Sequence, residues 1–144
     1  LRPDYLETPG LDDVVNYSEW TIPLGRRFRA LKLWFLIRAY GLEGLRTRIR
    51  NHIAWAREAC DAIAALPGLE IVTEPRFSLF TFALADGDAA TADLLERINA
   101  DGRTYLTQTR HDGRYVIRFQ VGQFDCTRAD VMEAVSVIGE LAAN

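Results

Sequence analysis

The stretch Arg110-His111-Asp112-Gly113-Arg114-Tyr115-Val116-Ile117-Arg118-Phe119-Gln120-Val121 decides the fold. Asp112-Gly113 is a hairpin signal, because the tight turn that matches strand twist needs positive φ at both central residues. After the turn, Tyr115, Ile117, Phe119 and Val121 fall on one face of a strand. Val116, Arg118 and Gln120 fall on the other. With Arg103 to Arg110 as the preceding strand, the segment predicts an antiparallel pair with one apolar face.

Outward from this hairpin the neighbouring patterns alternate in type. Thr127 begins a C-terminal helix, and Asp130 three residues on completes a capping-box pattern. Val131, Ala134, Val135, Ile138 and Leu141 form the inward stripe of that helix. Ala89 to Ala100 reads as a short helix closed by Gly102, with Leu94, Leu95 and Ile98 inward. Leu69 to Thr73 and Arg76 to Leu84 are strand-like, rich in Ile, Val and Phe. The order ββαββα predicts a small antiparallel sheet with helices on one face, an α+β module.

Two helices precede the module. In Leu42 to Leu66 the residues Leu42, Leu45, Ile49, Ile53, Ala56, Cys60 and Ile63 step by three and four along one stripe, and Pro67-Gly68 ends it. Leu24 to Tyr40 reads as a helix stopped at Gly41, and its second half is apolar nearly all round. Such a helix needs cover on most faces, more than a chain of 144 residues readily supplies. Residues 1–23, with Pro3, Pro9, Gly10 and Pro23, show no sustained period and read as an extended arm and loop. The expected organisation is therefore an arm at 1–23, two long helices at 24–66 and an α+β domain at 67–144.

Composition excludes whole classes of protein. Hydrophobic residues make up 49% and charged residues 26%, values of a globular chain rather than a disordered or fibrous one. The longest strongly apolar run, Leu33 to Ile37, is far too short to cross a bilayer, so no membrane partner is expected. Two cysteines make no disulfide framework. With no signal-peptide pattern, a cytoplasmic setting is expected. The first residue is Leu1 rather than Met, so either an initiator and more were removed or the chain is a piece of something longer.

Charge is unevenly placed. The overall net is −3, yet Leu24 to Arg57 contains nine basic residues and one acid, Glu43. A basic stretch raises an anionic partner as a possibility. No nucleic-acid recognition motif accompanies it, so nucleic acid is not expected.

The residues show no self-contained catalytic centre. His52 and His111 lie in different elements without partners at metal-ligand spacing, so no metal is expected. Cys60 falls on a buried stripe. Cys126 precedes a helix N-terminus, where the dipole lowers a thiol pKa, but no histidine is near it in sequence. No nucleophile elbow, P-loop or dinucleotide fingerprint is present. Lys32 is the one amine side chain able to form a Schiff base, and it lies inside an arginine-rich helix.

The segment Asn16-Tyr17-Ser18-Glu19-Trp20-Thr21-Ile22-Pro23-Leu24-Gly25-Arg26-Arg27-Phe28-Arg29-Ala30-Leu31-Lys32-Leu33-Trp34-Phe35 closely resembles a stretch of the group II pyridoxal-phosphate-dependent amino-acid decarboxylases, the aromatic-L-amino-acid decarboxylases in particular. The similarity continues through Arg38-Ala39-Tyr40-Gly41-Leu42-Glu43-Gly44-Leu45, Ile98-Asn99-Ala100-Asp101-Gly102, Val116-Ile117-Arg118-Phe119 and the helix after Thr127. It covers essentially the whole chain in order.

The resemblance implies the C-terminal small domain of a fold-type-I enzyme that converts an aromatic L-amino acid to its amine. It implies a homodimer whose pyridoxal 5′-phosphate is bound by residues upstream of this chain. No cofactor-binding residue is expected here, Lys32 does not match the family's cofactor lysine, and the chain alone is expected to be inactive. Tyr17 matches the tyrosine of the family's mobile catalytic loop, implied to give a proton to the substrate carbon once carbon dioxide has left. Relatives with Phe there tend to form aldehydes, so Tyr17 points to plain decarboxylation; an aldehyde-forming relative is the alternative. Asn16 stands where the family usually has Asp. Fold-type-I enzymes often hold the substrate carboxylate with a small-domain arginine, which makes Arg118 a weak substrate-binding candidate. Bridging between domains is the plainer expectation for Arg26, Arg27 and Arg118, and a packing role for Trp20 and Trp34. The remaining alternative is a non-catalytic interaction module with a basic surface.

Overall fold

The computed structural model describes residues 27–143. The chain divides at Gly41 into two compact units, Leu1–Gly41 and Leu42–Asn144. The break falls inside α1, Ala30–Ala64, where Gly41 has φ 67 and ψ 162. That backbone region is essentially closed to residues with a Cβ, so the helical hydrogen-bond ladder is interrupted where the sequence predicted a stop.

In the first unit, Arg27 and Phe28 precede the helix, and Leu31 donates its N–H to the Phe28 carbonyl at 3.2 Å. The expected start at Leu24 therefore does not extend to these two residues; Leu24 to Arg26 lie outside the described residues. Leu33, Trp34 and Phe35 are 58%, 54% and 57% exposed. Trp34 and Phe35 meet edge to face at 5.2 Å, and Arg38 lies over the Trp34 ring.

The second unit combines the rest of α1 with β1 (Leu69–Arg76), β2 (Leu79–Leu84), α2 (Asp88–Asp101), β3 (Thr107–His111), β4 (Arg114–Gln120) and α3 (Arg128–Ala142). The strands form one antiparallel sheet in the order β1-β2-β4-β3. Its core face carries Leu69, Phe80, Phe82, Leu84, Ile117 and Phe119. Ala56, Ala59, Cys60 and Ile63 of α1, Leu94, Leu95 and Ile98 of α2, and Val131, Val135 and Ile138 of α3 cover that face. Phe80 stacks on Phe119 at 5.1 Å. Each fully buried side chain of this size contributes roughly 1.5–3 kcal/mol.

The β3–β4 turn places Asp112 at φ 48 and Gly113 at φ 84, both positive as the two-residue hairpin requires. The cap of α3 is present in both directions: the Thr127 hydroxyl accepts from the Asp130 N–H, and the Asp130 carboxylate accepts from the Thr127 N–H at 2.8 Å.

Three boundaries differ from the sequence pattern. β1 runs on to Arg76 and the reversal falls at Phe77, whose φ is 52. Residues 103–106 are not strand. The Asn99 side chain instead holds Leu106 at both backbone groups, accepting from its N–H at 2.9 Å and donating to its carbonyl at 3.1 Å. Along α1, Leu42 and Ile49 are 53% and 58% exposed despite lying on the apolar stripe, whereas His52 is buried.

Candidate functional site

Each catalytic or binding candidate depends on where its element places it. Tyr17, Trp20 and Arg26 lie outside the described residues. Arg27 is exposed just ahead of α1.

Arg118 lies on the sheet face opposite the main core. The strand register aligns Thr73 with Thr81, Thr81 with Arg118, and Arg118 with Thr107. A single row across all four strands therefore sets one guanidinium between threonines. Thr73 and Thr81 hydroxyls share a hydrogen bond of 2.8 Å. On the same face Arg114 crosses β2 to reach Glu70 at 2.8 Å and the Leu84 carbonyl at 3.2 Å. Arg114 is thus engaged through its Nη2. Arg118, half-buried, forms no hydrogen bond or ion pair with a described residue, and its fork stays open for a carboxylate.

Two recesses lie on the helix side of the second unit. The larger, about 470 Å³, opens between the 102–106 loop, the end of β4 and the start of α3, with Arg103, Tyr105, Gln120, Gln123 and Asp130 among its lining residues. Two of its charged residues, Arg103 and Asp130, are committed elsewhere, and Glu133 also lines it. Arg103 donates to Asp101 at 2.7 Å and Glu140 at 2.9 Å, which holds both carboxyls below their usual range. Asp130 belongs to the α3 cap, and its hydrogen bonds from Thr127 lower its pKa.

The smaller recess, about 190 Å³, is lined by Gly44, Thr47, Arg48, Asn51, His52, Trp55 and Cys126. His52 and Cys126 therefore meet at one site although 74 positions separate them in sequence. Sequence reasoning missed this meeting, and the one available signal was the place of His52 beside the apolar stripe. They share no hydrogen bond: the Cys126 thiol donates to the Thr127 carbonyl at 3.5 Å. Burial, then the Asp130 charge, push that thiol pKa up, opposite to the lowering expected at a helix N-terminus. Burial foremost pushes the Cys60 thiol to about 11. Neither sulfur is an activated nucleophile. Among the described residues no group of three or more His, Cys, Asp or Glu can hold a metal ion, and no helix is long and apolar enough to cross a membrane.

Residues 1–85 match the pyridoxal-dependent decarboxylase conserved domain, and the chain belongs to that family. The relatives include tyrosine, tryptophan and aromatic-L-amino-acid decarboxylases. The chain is 41% identical to tyrosine decarboxylase 2 of Arabidopsis thaliana, covering 99% of this chain and 28% of the relative. It is 38% identical to a phenylacetaldehyde synthase of the same plant, over 90% of this chain and 28% of the relative. Its structure superposes on Oryza sativa TDC, crystallised with PLP and tryptamine, with a TM-score of 0.90 at 31% identity, over 99% of this chain and 32% of that one. The chain thus spans under a third of the length of these proteins.

A pyridoxal phosphate site needs a lysine for the aldehyde and a cradle for the phosphate. The single lysine, Lys32, is exposed on the first half of α1, and neither recess contains it. The described residues do not fit the cofactor by themselves.

Proposed function

We propose that this chain is the C-terminal part of a pyridoxal-phosphate-dependent decarboxylase that converts an aromatic L-amino acid to its amine. The observation that carries the reading is the family match over 1–85 joined to near-complete superposition on a PLP enzyme crystallised with tryptamine. In this reading residues 67–144 are the small domain of a fold-type-I enzyme, 24–66 link it to the rest, and 1–23 hold the catalytic arm. Upstream residues bind the cofactor, which supplies the electron sink for loss of carbon dioxide. The chain alone is inactive, and the complete enzyme is a homodimer.

Tyr17 is the catalytic residue of this chain in the proposal. A phenol is a suitable proton donor when a closed site excludes water and holds it within hydrogen-bond reach of the carbon to be protonated. Arg118, with its open guanidinium, is assigned an ion pair with another part of the complete enzyme rather than a substrate contact, because the substrate carboxylate must be free to leave. The aldehyde-forming alternative is favoured by one observation, the phenylacetaldehyde synthase among the relatives. In the complete enzyme, Tyr17→Phe is expected to retain the cofactor's visible absorbance while product shifts from amine to aldehyde, read by chromatography. An unchanged amine yield refutes the role. Aldehyde from the unaltered enzyme selects the alternative.

A further inference from the structure

The smaller recess contains a group that the proposed reaction does not use. His52 is 9% exposed, and its Nε2 is buried with no hydrogen-bond partner. One turn earlier on α1, Arg48 donates to the Phe124 carbonyl, and its guanidinium lies 3.9 Å from the centre of the Phe124 ring. This contact fastens the segment between β4 and α3 onto α1, across 76 positions of sequence. The same segment contributes Cys126 to both recesses and Gly122 and Gln123 to the larger one.

We propose that His52 is a proton-operated latch for residues 121–126: an imidazole that takes a proton loosens the Arg48–Phe124 clamp and frees the segment from α1.

The physical argument begins with charge. A neutral imidazole with an unmet nitrogen is tolerable in a buried corner beside Trp55, whose ring centre is 5.7 Å away. A charged imidazole there has lost water and faces a guanidinium. Burial first, and Arg48 second, accordingly lower the His52 pKa from 6.5. Of the residues lining the recess, α1 presents Arg48 as the one charged group, alongside Thr47, Asn51 and Trp55. The connecting segment presents Cys126, whose thiol is held neutral. Among the described residues no carboxylate lines the recess to offset a second positive charge. Releasing the segment opens the corner to water and separates Arg48 from its anchor, so the open form takes the proton more readily. Linkage fixes the sign: a histidine whose folded pKa is lowered favours the closed form above pH 6.5, and that preference is lost as pH falls. If the closed form takes no proton, the opening equilibrium rises about tenfold between about pH 7.5 and about pH 5.5.

The test is hydrogen exchange, read by mass spectrometry on the complete polypeptide that contains this chain, with rates divided by their intrinsic values at each pH. Within 121–126, protection of the Cys126 N–H, which donates to the Gln123 carbonyl at 3.2 Å, is expected to fall by up to about tenfold over that pH interval. In His52→Gln, which keeps a polar group but no titration, the fall is expected to disappear. Protection independent of pH in the unaltered protein overturns the proposal, as does an unchanged fall in His52→Gln. Should that variant not fold, the His52 ring is followed by NMR in the unaltered protein. Titration below 6.5 together with the Phe124 signals supports the latch, and titration at or above 6.5 overturns it.

Discussion

Replacing Thr91 by Val isolates one hydrogen bond at the junction of sheet and helix. The β2–β4 register ends at Phe82 opposite Ile117. Two residues further along each strand, at Leu84 and Tyr115, side chains take over from the ladder. The Leu84 N–H donates to the Thr91 hydroxyl at 3.1 Å, the Leu84 carbonyl accepts from Arg114, and the Tyr115 N–H donates to Asp88 at 3.0 Å. Thr91 is fully buried, and its hydroxyl also donates to the Gly87 carbonyl at 2.9 Å. Valine preserves volume and shape but removes the oxygen. Gly87 keeps a partner in the Thr91 N–H at 3.0 Å, so the single orphan is the buried Leu84 N–H. Such an orphan costs about 1–3 kcal/mol, which corresponds to local opening about five- to 150-fold more frequent. Hydrogen exchange of the peptide covering 82–92, compared between Thr91→Val, Thr91→Ser and the unaltered protein, reads this directly. Serine keeps the oxygen and loses one methyl, about 0.8 kcal/mol. Exchange unchanged in the valine variant, or equally fast in the serine variant, refutes the reasoning and assigns the site to packing alone.

Two further predictions concern backbone held by single residues. Asn99→Asp places a carboxylate against the Leu106 carbonyl while keeping the acceptor for its N–H; the 103–106 loop is expected to lose protection by about 1–3 kcal/mol, and equal protection in both proteins contradicts the role given to the amide. Gly41→Ala meets no atom within 4 Å, so its cost is backbone strain alone, about 1–3 kcal/mol. A urea midpoint unchanged or raised in the complete polypeptide refutes it.

The elements that the sequence predicted best are those fixed by neighbours in the chain. Gly41 breaks α1, Asp112-Gly113 turns the hairpin, and Thr127 with Asp130 caps α3, each a contact among residues at most three apart. Residues 103–106 were misread because their partner is a side chain on another element: Asn99 satisfies Leu106 and leaves no ladder to form. Likewise, periodicity marked Leu42 and Ile49 as apolar-stripe positions but carried no information about what covers them. The recess at His52 was illegible for the same reason, since Phe124 and Cys126 reach α1 only through the fold. Tyr17 was never legible as chemistry. A lone loop tyrosine has no pattern, and its assignment rests on the family resemblance of the residues around it.

The first half of α1 bears on why so short a chain carries so specific a motif. Leu33, Trp34 and Phe35 are more than half exposed, and Phe28 is 72% exposed. Covering each is worth roughly 1.5–3 kcal/mol, comparable in sum with the whole stability of a small domain. A sequence selected to fold alone would place polar residues at several of these positions, as it does on α2, where Asp93, Glu96 and Arg97 form the outer side. In the proposed complete enzyme the apolar surplus is an interface feature, and it lies in the same stretch, Asn16 to Phe35, as Tyr17. Both then belong to one function: the helix anchors the base of the loop in the body of the protein, so that the Tyr17 hydroxyl is delivered from a fixed point. An anchored base limits the positions the loop can adopt, which lowers the ordering cost of each closure.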